Sequence, residues 1–225
     1  MIVPLSRVYS AGEAIFFRDD FNTLDNWKPL TFPKIKVHTK YTIEKEGDNS
    51  YLKAVSDASA SGIVFQREFD VYTFPKVRWS WKVSNVFAKG DAEKKSGDDY
   101  PLRIYVIFKY DPEKASFLQR IKYGLVKQIY GEYPPRSSLN YIWANKHHKE
   151  QIITNTYASE AKMILLEEGA GNAGKWIEEK VNIIDDYRKA FGEDPPVVAS
   201  LAIMSDSDNT GEKAVSYVDY IEVYR

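Results

Sequence analysis

The side chains best suited to chemistry lie in a few short stretches of this sequence. Arg78 and Lys82 occur in VRWSWKV, and Arg103 and Tyr105 in LRIYVIF; Asn140 of LNYIWA joins them if that strand lies alongside. Cationic and amide groups on one sheet face can fork onto the carboxylate or hydroxyl groups of a sugar or uronate. The same composition also suits a plain solvated face laced with salt bridges. Trp143 and Trp176 add a stacking surface wherever they stand exposed. A second stretch, Ser205–Lys213 (SDSDNTGEK), places Asp206, Asp208 and Thr210 at alternating positions before Gly211. This is the opening of a calcium loop, whose oxygens face inward around a glycine turn. Tyr217 stands where the closing bidentate glutamate belongs, so the helix-loop-helix version is excluded and calcium would need ligands from elsewhere. Asp, Asn and Gly are equally what an ordinary turn requires.

The acidic pairs Asp98-Asp99 and Asp185-Asp186 could act as acid and base in glycoside hydrolysis, a reaction that needs two carboxyls at a fixed separation. Adjacent acids in loops and at helix starts are otherwise simply solvated. GAGNAGKW, Gly169–Trp176, has the glycine and lysine spacing of a phosphate loop. Trp176 occupies the position of the magnesium-binding hydroxyl, so a glycine-rich hairpin is expected there. The three histidines are His38, His147 and His148. Adjacent residues on an extended chain point to opposite sides, so the last two make a poor chelating pair. With zero cysteines, disulfides, thiolate metal sites and cysteine nucleophiles are excluded, while either redox compartment is permitted.

These groups must be positioned mainly by strands. In Val77–Val83 the apolar Val77, Trp79, Trp81 and Val83 alternate with Arg78, Ser80 and Lys82. Leu102, Ile104, Val106 and Phe108 alternate in the same way with Arg103, Tyr105 and Ile107. A period of two puts one set on the buried face of a sheet. About ten strands are expected from such patterns, together with a polar loop, Lys89–Asp99, rising off the sheet edge. The spacing of Phe117, Leu118, Ile121, Leu125 and Ile129 predicts an amphipathic helix inserted at about 113–131. Ile183–Phe191 predicts a short second helix with acids at its start, bases at its end and Gly192 closing it. The expected fold is all-β: a jelly-roll type antiparallel β-sandwich spanning residues 1–225 as a single domain, with one or two inserted α-helices.

Whole-chain properties narrow the partners. The 225 residues carry 31 basic and 32 acidic side chains, a formal net charge of -1, so no global field draws the chain to nucleic acid. Aromatics at 14% suit broad, pleated sheet faces. The chain shows neither a signal peptide nor a run of about 20 apolar residues, so membrane insertion is not expected.

Several segments in order resemble the bacterial family known as domain of unknown function 3047. They are DDF with the following Trp27 and PLTFPKI, RWSWKV, GDDYPLRIYVIF, LNYIWAN, EEG…GKW, DDYRKAFGEDPP and AIMSDSDNTGE. The resemblance covers most of the chain and implies an exported envelope protein, periplasmic or secreted, with no activity or catalytic residues to transfer. More loosely, the DDF opening and VDYIEVY ending look like the paired first and last strands of jelly-roll carbohydrate-binding modules. That likeness implies a structural calcium at Asp19, Asp20 and Asp219. The expectation is therefore a non-catalytic envelope protein binding an oligosaccharide or polysaccharide on a sheet face. A polysaccharide hydrolase or lyase using Asp98, Asp99, Asp206 and Asp208, or a structural or assembly protein with a protein partner, are the alternatives.

Overall fold

The computed structural model describes residues 13–113 and 134–225. The helix predicted at about 113–131 lies, but for its first residue, outside the described residues.

Alternating apolar and polar residues become strands because one face of each can bury against a second sheet. The chain forms a jelly-roll type β-sandwich of two sheets. One contains β1 (Ile15–Asp19), β3 (Lys40–Glu46), β4 (Asn49–Asp57), β7 (Lys76–Val83), β12 (Ile177–Asn182) and β14 (Lys213–Tyr224). Its order is β12-β7-β14-β4-β3, with β1 pairing the far half of β14. The other sheet runs β10 (Ile152–Thr154), β11 (Ala161–Glu168), β9 (Ser137–Ala144), β8 (Arg103–Phe108), β13 (Val198–Asp206), β5 (Ala60–Phe65), β2 (Trp27–Leu30), with β6 (Phe69–Asp70) also pairing β13. Pairings are antiparallel except β11 with β9, which is parallel. Among the described residues four strands exceed the ten that periodicity predicts: β2, β6 and β10 are too short to display a period, and β12 reads IEEKVN, acids and a lysine that β propensity disfavours.

The core lies between the sheets. Trp79 and Trp81 of β7 meet edge-on at 5.5 Å and touch Tyr141 and Trp143 of β9 across the interface. All four are fully buried, as are Ile104, Val106 and Phe108 of β8. Register then fixes the outer faces. Arg103 and Tyr105 lie opposite Ile142 and Asn140 on the outside of the eight-stranded sheet. Arg78 and Lys82 lie beside Glu222 and Tyr217 on the outside of the six-stranded sheet.

The loop Lys89–Asp99 does not rise off an edge. It folds down so that Ala92, with Tyr100 just beyond, packs on Ile142, Ala144, Met163 and Leu165, a second apolar cluster on the outer face of the eight-stranded sheet. Asn145 locks it there, its Oδ1 accepting from the Phe87 N–H (2.8 Å) and its Nδ2 donating to the Asp99 carbonyl (2.6 Å). Gly97 is required within it: a Cβ there would meet the Asp91 nitrogen at 2.6 Å.

Helix α1 (Ile183–Phe191) stands where its sequence predicts. Asn182 caps it by accepting from the Ile184 and Asp185 N–H groups, and Gly192 closes it in the left-handed region at φ 73°. Its buried Tyr187 packs edge-on to Phe108 at 4.7 Å.

Candidate functional site

The expected polar face is divided. Arg78 and Lys82 are on one outer face of the sandwich, and Arg103, Tyr105 and Asn140 on the opposite one, because β7 joins the six-stranded sheet while β8 and β9 join the other.

On the eight-stranded side, Arg103 is buried and ion-paired with Asp206. Burial pulls against its charge, but the Asp206 carboxylate outweighs it and holds the guanidinium protonated. Burial pushes the Asp206 carboxyl up, with Arg103 opposing and Asp99 and Asp98 adding to the rise. Arg103 is therefore already engaged and does not offer its fork to a ligand. Tyr105 is half-buried and turns its hydroxyl toward Met204, and Asn140 is buried.

The calcium-loop residues sit beside this pair. Single carboxylate oxygens of Asp99, Asp206 and Asp208 lie within 4.8 Å of one another. Their bonds are largely made within the protein. Asp99 accepts from the N–H groups of Asn209 (3.3 Å) and Thr210 (2.6 Å), and the Thr210 hydroxyl accepts from the Glu212 N–H. Asp20 and Asp219 are elsewhere: Asp20 pairs with Arg18 at 2.5 Å, and Asp219 accepts from Asn49 at 2.7 Å. Asp219 is six residues into β14, about 20 Å along the strand from the loop. Asp19 accepts from the Phe21 N–H, Asn26 and the Trp27 indole, which ties the first strand down. The two candidate calcium positions, the loop and the terminal strands, thus lie apart.

The candidate acids Asp98, Asp99, Asp206 and Asp208 do converge, as the hydrolase alternative requires. Asp98 accepts both bonds from Asn155 (3.2 and 3.0 Å), and only Asp208 of the four is exposed. One oxygen each of Asp99, Asp206 and Asp208 lies within 4.8 Å of the others, so these three carboxyls crowd one another. Asp186 of the other pair accepts from Tyr141, and burial raises its carboxyl.

On the six-stranded side the aromatic residues stand outward. Trp143 is fully buried and contributes no stacking surface. Trp176 is 39% exposed, the one tryptophan of the five that reaches solvent. It stands where the glycine-rich turn enters β12. That turn is a crossing between sheets and not a hairpin, since β11 and β12 belong to different sheets. Gly169 and Gly174 bend it at φ 68° and 82°, and the Gly174 N–H donates to the Val83 carbonyl. Around Trp176 stand Tyr51 at 5.8 Å and Tyr217 at 6.3 Å, with Tyr51 and Tyr217 5.6 Å apart. The Lys82 ammonium lies 4.6 Å from the Trp176 ring and 4.5 Å from Tyr217. Hydrogen-bonding groups flank these rings: Lys53 bonded to Glu44 (2.6 Å), and Asn49 to Asp219. Arg78, by contrast, is held between Glu222 and Glu13 over the Tyr224 ring. Sequence reading missed Tyr51 and Tyr217. Their signal was available, since both fall on the polar phase of strands whose alternate residues are core.

The family described as "Protein of unknown function (DUF3047)" matches residues 25–222. No curated protein matches the sequence. Among solved structures, the chain is similar to the family 11 carbohydrate-binding module of cellulosomal cellulase Lic26A-Cel5E of Clostridium thermocellum, at 11% identity over 96% of this chain and 95% of that one, TM-score 0.48. It is also similar to the family GH12 endoglucanase 3 of Trichoderma harzianum, at 6% identity over 96% and 99%, TM-score 0.42.

Proposed function

We propose that this chain, which belongs to the DUF3047 family of proteins of unknown function, is a non-catalytic glycan-binding protein of the bacterial envelope, with its binding surface on the outer face of the six-stranded sheet. The observation that carries the reading is the exposed Trp176 set among Tyr51, Tyr217 and Lys82. Aromatic rings wet on one side accept the apolar C–H face of a sugar, while Lys82 and the flanking amide and carboxyl groups suit its hydroxyls or a uronate. Binding without catalysis is supported by the engagement of Asp98, Asp99 and Asp206 in internal bonds. Placement in the periplasm or outside the cell belongs to the same proposal and is checked by fractionating the producing bacterium.

Because the other four tryptophans are buried, Trp176 is the natural reporter. Neutral and uronate-bearing oligosaccharides titrated into the protein should shift its emission saturably, with matching heat by calorimetry. Trp176→Ala should abolish both while leaving the circular dichroism spectrum unchanged. If neither glycan class produces a saturable response at millimolar concentration, the reading fails.

A further inference from the structure

We propose that Asp91, Glu93 and His148 form a site for a divalent transition-metal cation of the zinc class. One ligand atom from each of the three lies within 4.8 Å of the others. The independent observation is His148. Its side chain is only 1% exposed, and neither ring nitrogen has a hydrogen-bond partner among the described residues. Nε2 points at Asp91 Oδ1 from 3.7 Å. That is too long for a hydrogen bond, and it approaches the separation of about 3.4 Å between two ligands of one tetrahedral zinc at bonds of about 2.1 Å. An imidazole with two carboxylates selects zinc-like cations over calcium or magnesium, which take all-oxygen shells.

The surroundings match what a metal-bound histidine needs. Its second nitrogen, Nδ1, has Glu168 Oε1 on its side at 3.7 Å, longer than a hydrogen bond but in the direction from which a carboxylate commonly orients a metal-bound ring. Glu168 is itself fixed, accepting from the His148 N–H (2.8 Å) and lying 3.1 Å from His147. Lys146 (2.6 Å) and Lys94 (3.0 Å) both sit on Asp91 Oδ2, while Oδ1, which accepts from the Glu93 N–H (3.2 Å), faces His148. The polypeptide around the site is pinned by the Asn145 bonds and by Asp91 N–H donating to the Gly97 carbonyl. His147, on the opposite side of the chain, is 83% exposed, supplies no ligand and touches the site only through Glu168. An adjacent histidine pair is a poor chelate, whereas one histidine with carboxylates from a distant loop has ligand geometry.

The test uses a variant that keeps all three proposed ligands. His38→Gln/His147→Gln changes two exposed residues and makes His148 the sole imidazole. After chelator treatment this variant should bind one Zn2+ by calorimetry, raise its midpoint of thermal unfolding and shift a single imidazole Nε2 resonance in 15N spectra. In the same background, Glu168→Gln should weaken binding about 10- to 100-fold and His148→Gln should remove it. Absence of stoichiometric Zn2+ binding in the double variant would overturn the proposal. An imidazole that carries protons on both nitrogens at pH 7 and ignores Zn2+ would do the same, identifying a buried ion pair in place of a metal site.

Discussion

Glu179 shows how one residue sets a pH response. It lies opposite Trp79 on the inward side of the edge strand β12, where burial, followed by the nearby Glu167 carboxylate, pushes its carboxyl up to about 7. The folded state therefore holds a proton that the unfolded chain releases near pH 4.5. Stability associated with this proton is fully present below about pH 4.5 and is lost as pH rises through about 7. Urea unfolding should show the wild type losing about 1–2 kcal/mol between pH 5 and 8, discounted for the part of the group that solvent screens. Glu179→Gln should flatten that slope. Arg103 makes a second residue-scale case. Arg103→Ala leaves Asp206 buried and unpaired, and urea unfolding should register a loss of about 3–5 kcal/mol. Arg103→Met with Asp206→Leu should recover most of it, which would mark the pair as structural.

At the scale of elements, β7 and the turn into β12 present tryptophans to opposite environments. Trp79 is fully enclosed between the sheets, and Trp176 is wet. Trp79→Ala should cost about 3–5 kcal/mol in denaturant unfolding, the transfer of a large ring plus the cavity left behind. Trp176→Ala should stay within about 0.5 kcal/mol of wild type, as surface changes do. A large loss from Trp176→Ala would make the aromatic cluster part of the core and remove it as a docking surface. The loop Lys89–Asp99 carries the same lesson. Its charges suggested a free excursion, yet Ala92, with neighbouring Gly97 and Tyr100, binds it to the sheet.

At the scale of the whole molecule, the first strand pairs the last, Ile15 opposite Tyr224, and β14 forms the centre of its sheet. Such closure must wait for segments about 200 residues apart, and non-local β pairing makes folding slow. Stopped-flow refolding should take milliseconds to seconds, and a chain ending before Lys213 should not fold cooperatively. Refolding in microseconds would contradict this topology. The two outer faces are also chemically unlike: one turns aromatic rings outward, while the other is partly roofed by the loop Lys89–Asp99 and consumes its arginine internally.

Alternation was enough to identify the strands of the core, the inward set on β7, β8 and β9, and the all-β class. Local signals placed α1, because Asn182 and Gly192 act on neighbours a few residues away. Tertiary structure alone decided which sheet each strand joined, and so separated Lys82 from Tyr105. It also decided that Arg103 meets Asp206, 103 residues along the chain, that Trp143 is enclosed while Trp176 is exposed, and that His148 meets Asp91. The physical reason is that a period of two records which residues share a face. Strand order, and the loop that covers a face, arise from pairings between distant segments that local pattern does not encode.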